Sequence, residues 1–257
     1  MADFDLSRLA SIARLNANPS WGNRDLYRLL FKEELYLAAY EKIKSKPGNM
    51  TKGVDGTTLD GISMSNIASI IKSMRDESFT FSPTRRTYIP KKNGKMRPLG
   101  IANPREKLVQ EAIRMILEAI YDSPYGPTFS EKSHGFRPKR GTHNALREIR
   151  TKWTGVRWTV EGDITSFFDN IDHDRLIELL RKRIKDERFL NLIRKALNAG
   201  ILDQGTFSPS VLGTPQGSIV SPILANVYLH ELDEKVAEIV TRETKGKGAR
   251  PNPATER

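Results

Sequence analysis

The chain has 257 residues and no cysteine, which excludes disulfide frameworks, thiolate zinc sites and cysteine nucleophiles together. At 38% hydrophobic and 28% charged it has the composition of a folded domain with its own core. No apolar run approaches the ~20 residues of a membrane-spanning helix. The net charge of +11 is unevenly placed: residues 61–150 carry 17 basic and 8 acidic side chains, residues 151–240 carry 11 and 13. A basic block beside a slightly acidic one suits a nucleic-acid grip next to a metal-binding centre, and equally a solvated basic face. The start, MADFDLSRLASIARLN, has no uncharged apolar stretch and two early Asp, against a secretory signal and a mitochondrial presequence alike.

Tyr27, Leu30, Phe31, Leu35, Ala38 and Ala39 recur at three- and four-residue spacings, predicting an amphipathic helix over 25–44. Lys46-Pro47-Gly48 stops it, and 47–61, with four glycines, reads as a long loop before a helix over Ser65–Arg75. Thr87–Pro90 and Arg97–Ile101 flank an Asn93-Gly94 turn signal and predict a hairpin. Between 85 and 97 stand six basic residues and no acidic one: Arg85, Arg86, Lys91, Lys92, Lys95 and Arg97. Lysines guarding an edge hairpin would look the same; six cations at a two-stranded tip otherwise suggest phosphate.

Asn103, Pro104 and Glu106 sit as N-cap, N1 and N3 of a helix whose inner row is Leu108, Ala112, Ile116 and Ile120, ended by Ser123-Pro124. Residues 125–142 read as an irregular basic segment, with a helix from Thr142. In 157–163, RWTVEGD, Trp158 and Val160 alternate with Thr159, Glu161 and Asp163, predicting a strand with an acidic face. Asp172 and Asp186 cap two further helices, the second closed by Gly200, with His173 on the surface. A long helix runs from Ser221 to about Val240 with Ile223, Leu224, Val227, Leu232 and Val236 inward, and 242–257 reads as loop. An Asp at a strand end, like Asp163, can hold Mg²⁺ by one oxygen, although such residues more often cap a turn.

The segments VEGDITSFFDNIDHDRL, GTPQGSIVSPILANVYLHELD, YIPKKNGKMRPLGIANPREKLVQEAI and SHGFRPKRGTHNAL together resemble the reverse transcriptases of group II introns, also called maturases. LYRLLFKEELYLAAYEKIKSKPGNMTKGVDGTTLDG is similar to the N-terminal extension and first block of that family. The resemblance runs over about residues 5–240, and NPREK with the RPNP of the tail is most similar to the mitochondrial lineage.

The resemblance implies an α+β fold: reverse-transcriptase fingers and a partial palm of the right-hand polymerase type, truncated before the Asp-Asp hairpin. The implied parts are an N-terminal extension and helical start of the fingers (1–83), the basic fingers hairpin and helices (84–155), a partial palm (156–240) and a basic tail (241–257). Asp163 matches the first catalytic aspartate, and it and the Ile164 carbonyl would ligate Mg²⁺, two ions serving nucleotidyl transfer. Phe168 matches the steric gate that rejects a 2′-hydroxyl. Pro215, Gln216 and Gly217 match the loop along the incoming nucleotide, and Lys91 and Arg97, expected to face each other across the hairpin, the cations on its triphosphate. Arg85, Arg86, Lys92, Lys95, Lys132, Arg137, Lys139 and Arg140 would bind RNA through its phosphates.

The implied function is RNA-directed DNA polymerase and intron maturase, with intron or template RNA, a DNA primer and dNTPs as partners and no membrane. The alternatives are a non-catalytic RNA-binding splicing cofactor or a decayed reading frame. The chain contains no Asp-Asp dipeptide, so the expectation is a fragment, a truncated product or one piece of a split enzyme, completed by a second polypeptide carrying the rest of palm and thumb and inactive alone. The expected location is the mitochondrion, by synthesis there without a presequence, or a bacterial cytoplasm.

Overall fold

The computed structural model describes residues 6–48, 50–90, 94–214 and 217–244. Lys91, Lys92, Asn93, Pro215, Gln216 and the tail from 245 onward lie outside the described residues.

α1 (Ser7–Leu15) has no counterpart among the expected elements; it buries Ile12 and Ala13. The helix expected over 25–44 is divided. A 3₁₀ turn at Tyr27–Phe31 precedes α2 (Glu33–Ile43), and Lys32 between them is extended at φ −97°, ψ 122°. The reason is angular. Leu26 and Leu35 are both buried, yet nine residues apart on one helix they would point to opposite sides at about 100° per residue. Breaking the chain at Lys32 turns both into one core, and the Tyr36 hydroxyl donates across the break to the Leu30 carbonyl at 2.9 Å.

α3 (Met64–Arg75) starts on a reciprocal cap between Ser63 and Asn66. The hairpin forms as β1 (Thr84–Pro90) and β2 (Met96–Ile101), antiparallel, with Ile89 opposite Arg97 and Arg86 opposite Gly100. α4 (Pro104–Tyr121) is the central helix, with Leu108, Ala112, Ile116 and Ile120 fully buried as the row predicts. Asn103 stands at its N-cap as expected, but its side chain makes no cap hydrogen bond. Its Oδ1 instead accepts from the Asp55 amide at 3.3 Å, and a Cβ on Gly53 would lie 2.7 Å from the Asn103 Cα. The Gly53–Gly56 turn is thereby locked against the start of α4.

α5 (Thr142–Lys152) stands at the surface with no buried residue. α6 (His173–Arg183) and α7 (Glu187–Leu197) begin where expected: Asp172 accepts from the Arg175 amide at 2.7 Å, and Asp186 from the amides of Arg188 and Phe189 at 3.1 and 3.3 Å. β3 (Ile201–Asp203) and β4 (Thr206–Ser208) form an unanticipated hairpin over Gln204-Gly205, both at positive φ. β3 pairs in parallel with β1, giving one sheet in the order β2-β1-β3-β4. α8 (Ser221–Thr244) closes the described chain. The fold is α+β.

Four further expectations are corrected. Residues 157–163 form no strand: the segment is exposed, Val160 completely. A strand needs a hydrogen-bonding neighbour, and the described strands all pair elsewhere. Leu232 and Val236 are about half exposed rather than inward, because only the first part of α8, through His230, meets the core. His173 is buried, not superficial: Nδ1 lies 2.9 Å from Asn198 Oδ1 and Nε2 2.6 Å from the Gly213 carbonyl. Residues 242–244, expected as loop, continue α8.

Candidate nucleotide and nucleic-acid site

The hairpin, the 3₁₀ turn Phe167–Asp169 and the loop before α8 meet around one cleft. It has a volume of about 340 Å³ and is lined by Arg86, Leu99, Gly100, Asp169, Leu212 and Thr214 among others. Backbone bonds staple the turn to the loop: the Thr214 amide donates to the Phe168 carbonyl at 2.7 Å, and the Gly213 amide to the Ile171 carbonyl at 2.8 Å. A Cβ at Gly213 would stand 2.8 Å from the Phe168 carbonyl oxygen, so only glycine allows this approach. On the far side of the loop Gly217, at φ +104°, comes so close to β2 that a Cβ would lie 2.8 Å from the Gly100 oxygen. Gln110 on α4 fixes the next two residues, its Oε1 accepting from Ser218 Oγ at 3.1 Å and from the Ile219 amide at 3.0 Å. Gln110 was invisible as a site residue, because a glutamine on a helix carries no signal until its partner loop is known.

Phe168 and Phe167 are both half-buried and meet each other edge-on at 5.7 Å, each with a further partner. Phe167 meets Tyr228 of α8 edge-on at 6.2 Å, whereas Phe168 meets Phe136 edge-on at 6.2 Å. Ser166, at φ 50°, turns the chain into this pair. Asp163 and Ile164 precede the turn and are exposed, outside the lining of the cleft. Among the described residues no group of three or more histidine or carboxylate side chains could hold a metal ion. The residues present thus do not fit a two-magnesium centre, and Asp163 offers at most one ligand of it.

The basic side chains divide by what they touch. Arg97 and Lys95 are exposed on β2 and its approach; across the strand pair Arg97 faces Ile89. Lys91, its expected partner, lies outside the described residues. Arg86 lines the cleft. Arg85 donates from Nε and Nη2 to the Lys52 carbonyl at 3.2 and 2.8 Å. Nearby Lys107, which burial and the Arg85 charge hold below the usual lysine range, donates to the Thr51 carbonyl at 3.2 Å. Lys132 is paired with Glu148, Lys139 is exposed, and Arg140 donates to the Glu131 carbonyl at 2.6 Å. Arg137 faces inward. Its guanidinium forks onto Asp122, at 2.6 Å for the shortest bond, and donates to the carbonyls of Ser130 and Ser133 at 2.6 and 2.9 Å. With its side chain 2% exposed, Arg137 organises the 130–137 loop instead of reaching a phosphate.

Residues 89–245 match the family described as reverse transcriptase (RNA-dependent DNA polymerase). The chain belongs to the reverse transcriptase family. It is 53% identical over 218 residues to the "Uncharacterized 91 kDa protein in cob intron" of Schizosaccharomyces pombe, covering 84% of this chain and 26% of that protein. It is 49% identical over 215 residues to the "Group II intron-encoded protein LtrA" of Lactococcus lactis, covering 83% of this chain and 35% of that protein. The reverse transcriptase chain therefore spans about a quarter to a third of the length of these curated relatives. Among solved structures it superposes on a chain of the "Partial Cas6-RT-Cas1--Cas2 complex" with a TM-score of 0.54 at 23% identity, covering 83% of this chain and 35% of that one. That likeness is one of fold.

Proposed function

We propose that this chain is the nucleotide- and template-facing part of a group II intron-encoded RNA-directed DNA polymerase that also acts as the intron's maturase. One observation carries the reading. The hairpin wall with Arg86, Leu99 and Gly100, Asp169 just after Phe168, and Gly213 and Thr214 of the loop enclose one cleft, while Gly217 further along the loop closes on Gly100. Lys91 and Arg97 act on the triphosphate as point charge and fork. Phe168 lies under the sugar, and Pro215, Gln216 and Gly217 run along the nucleotide. Arg85, Arg86, Lys92, Lys95, Lys132, Lys139 and Arg140 form the phosphate-facing surface for intron or template RNA. Two magnesium ions would be the cofactors; Asp163 and the Ile164 carbonyl would supply one side of that centre, and further carboxylates would have to join them, in cis or from a second polypeptide. The mitochondrion is the proposed location, supported by the NPREK and RPNP segments and by a relative encoded in a cob intron.

Two measurements test the reading. The isolated chain extends no DNA primer on an RNA template in Mg²⁺ or Mn²⁺; extension that disappears in Asp163→Asn would show that the missing carboxylates are already present. The same chain binds single-stranded RNA with an affinity that falls steeply with salt. Changing Arg85, Arg86, Lys92 and Lys95 together to Ala weakens binding and flattens its slope against log salt by about 0.7 for each phosphate that is no longer neutralised. An unchanged slope would place the grip elsewhere.

A further inference from the structure

Phe136 occupies a position that makes little sense for folding alone. Its backbone sits in the left-handed region at φ 56°, where a bulky side chain is strained, and the residue is 69% exposed. The neighbours on both sides force this conformation. Asn226 of α8 donates from Nδ2 to the Gly135 carbonyl at 2.9 Å, and the buried fork of Arg137 on Asp122 anchors the following residue. The chain thus holds an apolar ring out into solvent against both its hydration and its backbone preference. The ring's edge-on packing with Phe168, near perpendicular at 83°, leaves a face uncovered. Phe136 also lines a cavity of about 520 Å³ whose other walls include Lys42 and Lys46, at the end of α2 and just beyond it; the remaining charges there are paired among themselves, Arg114 with Glu118 and Asp122 with Arg137. A rigid exposed aromatic face with cations within one cavity is the arrangement that takes an unpaired base by stacking and its flanking phosphates by charge.

We propose that Phe136 is a stacking platform for an unpaired nucleobase of bound RNA, with Lys42 and Lys46 on the adjoining phosphates. The proposal rests on the RNA-binding reading above and adds a hold on a base that the basic surface alone does not supply. The test uses this chain and a fluorescein-labelled single-stranded RNA of twelve adenosines, followed by anisotropy over a salt series. Phe136→Leu binds at least fivefold more weakly with an unchanged salt slope, because stacking releases no counterions. Phe136→Trp binds as the wild type does. Lys42→Ala with Lys46→Ala flattens the slope instead. Phe136→Asn, which tolerates the left-handed backbone, loses the same affinity while melting no lower than the wild type, an outcome that a purely structural ring would not give. Wild-type RNA binding with no loss in Phe136→Leu would overturn the platform alone. Absence of RNA binding by the wild-type chain would overturn the underlying reading, and the platform with it.

Discussion

Replacing Arg137 with alanine lowers the stability of the chain by about 3–5 kcal/mol, the range for removing one partner of a buried ion pair. The guanidinium uses each of its nitrogens: Nε bonds both Asp122 oxygens at 3.1 Å, Nη2 bonds Oδ1 at 2.6 Å, and Nη1 donates to the two loop carbonyls. It also covers the Phe129 ring at 5.5 Å. Alanine leaves the Asp122 carboxylate and two carbonyls without their donor in a place water scarcely reaches. Arg137→Lys rescues little, since one ammonium cannot reproduce a planar fork. Chemical denaturation measures the loss, and a cycle with Asp122→Asn shows strong coupling between the two sites. If Arg137→Ala were instead as stable as wild type and defective in RNA affinity, the side chain would be a phosphate ligand after all.

The second large effect follows from the place proposed for Phe168 under the sugar and is measured in a full-length enzyme. Phe168→Ala raises the use of rNTPs relative to dNTPs about 100-fold, equivalent to about 2.7 kcal/mol of differential transition-state binding. The ratio is its own control, because any loss of folded protein affects both substrates equally. The backbone beneath the ring stays in place, since the Phe168 carbonyl is held by the Thr214 amide at 2.7 Å regardless of the side chain. Phe167→Ala lowers stability and changes the ratio far less, its ring being packed on Tyr228 as well as against the edge of Phe168. Should Phe167 control the ratio, the register of the whole 163–168 segment shifts by one and the place of Asp163 goes with it.

The parts of this fold that were legible in the sequence are those fixed by neighbours within a turn or two. The Asp172 and Asp186 caps, the inner row of α4 and the Asn-Gly hairpin all depend on residues a few positions apart. What escaped depends on a distant partner. Arg137 reads as one more cation in a basic stretch until Asp122, 15 residues earlier, is seen beside it. His173 reads as a helix-start residue until Gly213 supplies an acceptor 40 residues later. The strands β3 and β4 are three residues each, too short for alternation to register. For 157–163 the alternation records which face each side chain would take, but not whether a neighbour exists to make a strand. The site follows the same division. The cleft's walls were recognisable as motifs, whereas Gln110 and the glycine approaches that bring those walls together were not.

The order of the sheet has a consequence for how the chain acquires its structure. β1 is complete by residue 90, yet the partner that completes its second edge is β3, and Thr84 meets the Gly200 carbonyl across 116 residues of sequence. Arg183 likewise reaches back 167 residues to the Asn16 carbonyl, closing the N-terminal helix against α6. Loops of this length close slowly. During synthesis the fingers hairpin therefore emerges as a two-stranded ribbon, marginal by itself, and waits until some hundred further residues have left the ribosome. The late segments finish the early ones. A ribosome paused between residues 90 and 200 leaves an open strand edge, a ready template for pairing with another chain.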